Sequence, residues 1–279
     1  MTTAALSAKP AAPAARLSRR QRWREKINRN LLTWLAVAVF LFLYVPIFIL
    51  IIYSFNANKV VGVWTGFSTE WYKTLFNDRQ MLSAFRVSLW VAFWSTAVST
   101  LLGTLAALAL ERFRFWGKTA YDAVVYMPII IPDIVIALST LLFFVIVAIP
   151  LSRYTVLIAH IAFNISFVAI IVRARLANMD SNLEEAAADL GANEWVTFRR
   201  VTLPLLMPGI VAGALMAFTL SLDDFVITFF VAGPGATTLP VRVYSMIKFG
   251  VTPEVNAVST LMFAGSTLFV VISLLLQRK

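Results

Sequence analysis

The chain has 279 residues, 60% of them hydrophobic and only 14% charged, with a mean hydropathy of +0.81 and a formal net charge of +10. A soluble domain carries about 25% charged residues, so this composition excludes a water-soluble globule and points to a bilayer as the solvent. With no cysteine and a single histidine, His160, disulfide scaffolds, thiolate metal sites and His-rich centres are excluded as well; the basic residues lie at the ends of apolar runs, which argues against a nucleic-acid partner.

Residues 1–30 form a basic tail. Its first half, "MTTAALSAKPAAPAA", reads as disordered. The basic stretch 16–29 either fixes orientation or lies on anionic lipid as an interfacial helix. Six apolar runs follow, within a transmembrane domain of residues 31–279. The first, 31–54, is charge-free, contains Pro46 as a tolerated kink, and is too long for a signal peptide, so it reads as an uncleaved span. Residues 55–85 carry Trp64, Phe67, Trp71, Tyr72 and Phe76, which suit a short helix at the outer interface. The second run, 87–110, is uncharged. The third, 123–149, contains Asp133, and the fourth, 154–172, contains His160. The fifth, 205–231, contains Asp223 and Asp224. Residues 232–254 open on a Gly-Pro-Gly turn and return to the bilayer, and the sixth run, 255–276, is uncharged.

Lys and Arg number eight in the tail, three in 111–118, four in 173–204 and two at the C-terminus, against seven elsewhere. The positive-inside rule then gives six spans with both termini in the cytoplasm. Gly209, Gly213 and Ala217 form a small-residue ridge for close helix packing. His160 and Asn164, one turn apart, read as a polar pair between helices.

The cytoplasmic loop 174–204 is the most informative stretch. Ser181-Asn182-Leu183-Glu184 fits a capping box. Leu183, Ala186, Ala187 and Leu190 then share one narrow apolar face, with Glu184, Glu185 and Asp189 off it. Gly191 is placed to end that helix, and a second starts at Asn193 and must finish before Pro204. From amphipathicity alone, this face either packs on the chain's own membrane domain or receives another protein. Glu185-Ala186-Ala187, three residues, Gly191, nine residues, Val201, Thr202, Leu203-Pro204 resembles the EAA loop of ABC-importer permeases, with Val201 in place of Ile. "FTLSLDDFVITFFVAGPGATTLP" (218–240), "VYSMIKFGVTPEVNA" (243–257) and "MPIIIPDIV" (127–135) are similar to the permeases of spermidine/putrescine uptake systems, in particular the second permease subunit.

The resemblance implies an all-α, type I ABC-importer permease of the bacterial inner membrane. It further implies a coupling loop, comprising Glu184, Glu185, Ala186, Ala187, Gly191, Leu203 and Pro204, that docks on a cytoplasmic ABC ATPase dimer. The other implied partners are a second homologous permease and a periplasmic substrate-binding protein. No G-x-x-x-x-G-K-[ST] sequence is present, so the chain is not the ATPase and binds no cofactor itself; ATP and Mg belong to the partner.

Carboxylates at membrane depth cost about 2.5–3.5 kcal/mol each and turn toward a partner or a water-filled path. On straight helices Asp133 lies ~16 Å into its span and Asp223 ~28 Å from Pro204. Asp133, Asp223 and Asp224, with Tyr126 and Phe225 beside them, are candidate lining residues for a path taken by a di- or triamine. Asp133 also suits a helix N-terminus restarting after Pro132. The two neighbouring aspartates lie about 100° apart, so at most one faces a path squarely, while the other pairs with Arg242, Lys248 or the partner subunit. The expected function is import of putrescine or spermidine. The alternatives are an ABC permease for an amino acid, opine or iron complex, and a secondary transporter.

Overall fold

The structure, a computed structural model, describes residues 19–277 apart from 60, 61, 181, 249 and 251, with side chains placed between residues 30 and 271. The Ala/Pro-rich start and Ser181 of the expected capping box lie outside the described residues. Two units divide at residue 50.

Most of α1 (Arg19–Tyr53) belongs to the first unit. Residues 19–29 continue its backbone and do not form a separate interfacial helix. Leu31, Trp34, Phe40, Phe42 and Phe48 are all exposed. A helix apolar on every side suits lipid, and Asn30–Tyr53 is long enough to cross a bilayer.

The second unit contains α2 (Glu70–Asn77), α3 (Arg79–Arg112), α4 (Lys118–Ile130), α5 (Asp133–Ile146), α6 (Arg153–Ala177), α7 (Asn182–Asp189) and α8 (Glu194–Thr197). A π-helical turn (Phe198–Thr202) leads into α9 (Leu203–Asp223), followed by α10 (Val226–Val231), α11 (Leu239–Lys248) and α12 (Pro253–Gln277). Among the described residues, five helices are long and apolar enough to span a membrane, and α4 with α5 makes a sixth if the bent pair counts as one.

The centre of this unit is the packing of α3, α6 and α9, and small residues permit it. A Cβ added at Gly103 would lie 2.7 Å from the Val168 Cβ, and one at Gly209 2.7 Å from the Arg175 Cβ. Gly213 faces Val168 as well, so the ridge expected on the fifth span does seat it against the fourth. Ala107, Val168, Val172, Leu206 and Ala217 are buried in the seam.

Two expected spans are interrupted. The third breaks at Ile131 and Pro132, where α4 and α5 meet at 114°. Pro132 has no amide to continue the ladder and forces Ile131 into an extended conformation (ψ 134°), so depth reckoned along a straight helix does not apply to Asp133. The fifth ends at Asp223 and resumes at Val226. The second halves of both broken helices meet: Ala137 and Phe144 of α5 share a buried cluster with Ile227 and Val231 of α10.

One end of the unit gathers α2, the starts of α3, α6 and α12, and α11. There the Trp71 indole donates to the Asn56 carbonyl (2.7 Å), and the Ser54 and Tyr72 hydroxyls meet at 2.7 Å. Phe55 lies between the Phe67 and Tyr72 rings. The aromatic loop thus folds around a short helix, as its composition suggests. The opposite end gathers the start of α4, the ends of α3 and α6, α7 and the start of α9.

The link after α10 passes so close to the start of α6 that a Cβ on Gly233 would fall on the Leu151 carbonyl. Gly233→Ala should therefore cost about 1–3 kcal/mol as the two backbones are forced apart. Gly265→Ala, whose methyl meets no atom within 4 Å on the exposed face of α12, should not destabilise and should raise stability by up to about 1 kcal/mol. Thermal unfolding of the purified protein in detergent measures both.

Candidate functional site

Two parts of the second unit hold the residues singled out in the sequence, one at each end. At the α7 end, the Asp180 side chain accepts from the Asn182 amide (3.0 Å), and α7 runs to Asp189. Gly191 follows with φ +84°, a left-handed conformation that costs other residues about 1–2 kcal/mol. Asn193 caps α8 by accepting from the Val196 amide (2.9 Å). The expected stop before Pro204 does not occur. A π turn, in which the Leu203 amide reaches back to the Phe198 carbonyl, feeds α8 directly into α9. Pro204 then sits in the first turn of α9, where its missing amide is not needed.

The apolar face of α7 points away from the unit. Leu190 is 89% exposed, Leu183 44% and, on α8, Trp195 66%. Ala186 and Glu185 are exposed too, and Ala187 is half-buried. The face is therefore not covered by the chain's own membrane helices. Glu184 turns the other way and takes the Arg112 guanidinium and the Thr202 hydroxyl as partners. Leu203 is half-buried and Pro204 exposed at the head of α9.

At the far end, α9 stops between two adjacent aspartates with different surroundings. The Asp224 carboxylate accepts from the amides of Ile227 (3.2 Å) and Thr228 (2.8 Å) and from the Thr228 hydroxyl (2.7 Å). It supplies the acceptors that the first turn of α10 lacks. His160, fully buried on α6, places Nε2 3.2 Å from the same carboxylate and 3.0 Å from the Thr228 hydroxyl. Its Nδ1 meets the Ser221 hydroxyl at 2.7 Å, and Ser95 of α3 donates to Ser221 (2.9 Å). Read as a directed chain, Ser95 donates to Ser221, Ser221 to Nδ1, and Nε2–H to Asp224, so one tautomer satisfies every partner.

Asp224 is therefore a structural acceptor that keeps only about a tenth of its side chain exposed. It does not pair with Arg242, which meets Asp78 at 3.5 Å. The expected His160–Asn164 pair does not form either. Both polar atoms of Asn164 lack a partner among the described residues, since two residues one turn apart share a side of α6 while the imidazole reaches across to α9 and α10. Asp223, by contrast, is exposed and makes no hydrogen bond or ion pair among the described residues. Phe225 beside it packs in tilted contact against Tyr244 (4.6 Å between centroids) and Phe229 (5.4 Å). Tyr244 was not singled out in the sequence, where its place in a loop hid its approach to Phe225. Asp133 is exposed as the first residue of α5, and Tyr126 is half-buried on α4, on the other side of the bend.

The exposed α7 face, the two broken spans and the polar node lie within one multi-helix unit that contains helices long and apolar enough to span a membrane. The model of the family "Binding-protein-dependent transport system inner membrane component" matches residues 99–278, and the chain belongs to that family of multi-pass inner-membrane proteins. Among its relatives, the chain is 46% identical over 233 residues to "Putrescine transport system permease protein PotI" of Escherichia coli K12, covering 81% of this chain and 83% of that one. It is 42% identical over 252 residues to "Spermidine/putrescine transport system permease protein PotC" of the same strain (90% and 96% covered), and 43% identical over 241 residues to PotC of Haemophilus influenzae (86% and 94%). The fold is shared with a chain of a bacterial ABC transporter involved in the import of alginate, at a TM-score of 0.68, 20% identity, and coverage of 92% and 98%.

The two aspartates should respond differently to substitution. His160→Ala leaves the Asp224 carboxylate without its imidazole donor at a buried position and should destabilise the protein by about 1–3 kcal/mol. Asp223→Asn removes no observed partner and should leave the unfolding temperature unchanged. Detergent thermal melts distinguish the two.

Proposed function

We propose that this chain is one permease subunit of an ATP-driven importer, forming half of a transmembrane path for polyamines such as putrescine and spermidine. Residues 31–279 make up the permease domain, and residues 1–30 a basic tail. The α7 end faces the cytoplasm with both termini, and the α2–α11 end faces outward, an orientation supported by the Lys and Arg distribution. A second, homologous permease supplies the other half of the path. A periplasmic binding protein delivers substrate, an ABC ATPase dimer supplies the energy, and this subunit performs no catalysis and holds no cofactor of its own.

The observation that carries this reading is the outward-facing EAA segment, with Leu190, Leu183 and Trp195 exposed on one rigid helix-turn-helix. An apolar surface in water at the edge of a membrane domain calls for a protein partner. Closure of the ATPases on nucleotide binding then moves the docked segment as a rigid body, the kind of motion that alternates access to a central path. The polyamine assignment is supported by relatives of 42–46% identity named for putrescine and spermidine transport, and by an exposed carboxylate beside aromatic faces. Asp223 attracts an ammonium group, while Phe225, Phe229 and Tyr244 offer ring faces for the cation and its methylene chain.

Proteoliposomes containing the complete importer should take up labelled putrescine or spermidine only with internal ATP. Asp223→Asn should lower that uptake on the order of tenfold, the scale of one charge-assisted contact. ATP-driven uptake of amino acids or iron complexes in preference to amines would replace the substrate assignment, and uptake without ATP would replace the importer reading. Leu190→Asp should abolish co-purification of the ATPase while leaving the melting temperature of the isolated subunit unchanged.

A further inference from the structure

Three arginines tie together the helix ends on the α7 side. Arg173 of α6 bridges Glu111 of α3 (3.0 Å) and Asp122 of α4 (2.5 Å). Arg175 of α6 donates to the Leu205 carbonyl of α9 (3.0 Å). Both join membrane helices to one another. Arg112, the last residue of α3, reaches instead to Glu184 of α7 and comes within 3.5 Å of the Thr202 hydroxyl in the π turn.

That contact has features an incidental surface pair lacks. Three separate elements converge on it. Thr202 is fully buried and its hydroxyl also binds Glu184, so carboxylate, hydroxyl and guanidinium close a triangle. The planar guanidinium can serve both acceptors at once, and a cation at the end of α3 is favoured by the helix dipole. Glu184 is moreover the one acid of α7 turned inward, with Glu185 and Leu190 on the exposed side. α7 is otherwise tied to the membrane helices by the short link from the end of α6 and by α8 and the π turn, whose wider hydrogen-bond ladder departs from α-helical geometry. α3, in turn, is seated on α6 at Gly103.

We infer that Arg112 is a positioning residue of the coupling segment: its bridge to Glu184 and Thr202 is the rigid strut that carries movement of α7 into α3. The docked face of α7 receives the ATPase motion, and the opposite face hands it to the bundle. Without the strut, α7 stays docked but moves against the π turn. The signature is a transporter that still assembles and still hydrolyses ATP, but no longer converts hydrolysis into uptake.

The inference rests on the importer reading, and one experiment separates the two. The complete importer in proteoliposomes is assayed for ATP hydrolysis and for polyamine uptake with wild type, Arg112→Glu, Glu184→Arg and the exchanged pair Arg112→Glu/Glu184→Arg. Co-purification of the ATPase reports docking. The single variants should retain the ATPase and lower uptake per ATP hydrolysed by about fivefold, and the exchanged pair should recover most of it. If the exchanged pair is no better than the single variants while the ATPase stays bound, Glu184 acts on the partner and the strut is overturned. Unchanged uptake per ATP in Arg112→Glu overturns it equally. If the charge variants fail to assemble, Thr202→Val, close in shape but lacking the hydroxyl, decides: a reduced ratio of uptake to hydrolysis supports the strut, and a wild-type ratio overturns it. Wild-type uptake that needs no ATP removes the importer reading itself.

Discussion

A helix interrupted inside hydrocarbon must repair its own backbone, because no water is present to satisfy the freed amides. The rest of this molecule depends on how that constraint is met at Asp224. Its carboxylate takes the amides of Ile227 and Thr228, so α10 can start afresh after two non-helical residues. A bare carboxylate there would be costly, and His160, Ser221 and Ser95 hold it from α6, α9 and α3. One polar node thus pins four helices at the break. It also divides the labour of two adjacent acids: Asp224 is consumed by the structure, and Asp223 is left open.

The same three helices, α3, α6 and α9, run from this node to the coupling segment at the other end. Close packing at Gly103, Gly209 and Gly213 leaves little room for them to slide independently. In the proposed route, movement of α7 enters α3 through Arg112 and passes along this close-packed seam to the node. The second halves of the broken spans, α5 and α10, pack on each other beside it. The arrangement places the two helix breaks, at 131–132 and 224–225, next to Asp133 and Asp223, and the close packing of α3, α6 and α9 between those breaks and the α7 end.

Much of this was legible in the residues, for physical reasons. Apolar runs of about twenty residues read as membrane spans, and the stretch from Glu185 to Pro204 resembled an EAA loop; its apolar face is left uncovered by the described residues of its own chain. The breaks were harder. Hydropathy reports side chains, so 205–231 read as one span although its backbone stops at Asp223. Pro132 signalled a restart but carried no information on a 114° bend. Pro204 read as a helix stop because the residue before a proline is pushed out of helical geometry, whereas here Pro204 lies in the first turn of α9, directly after the π turn, where its missing amide is tolerated. His160 was matched with its helix neighbour Asn164 because sequence shows only local proximity, while its partners lie 61 to 68 residues away.

In the proposed function, the carboxylate position at 223 is where a nucleotide-driven movement meets the path. The chain contains no cysteine, so a single Asp223→Cys substitution gives one reactive thiol on this subunit. Its modification by a membrane-impermeant thiol reagent, added to one side of the assembled importer in lipid, can be followed with and without bound ATP. The account predicts a thiol that reacts from the aqueous phase and whose rate from a given side changes severalfold on ATP binding. A thiol unreactive from both sides in both states, or one indifferent to nucleotide, would contradict it.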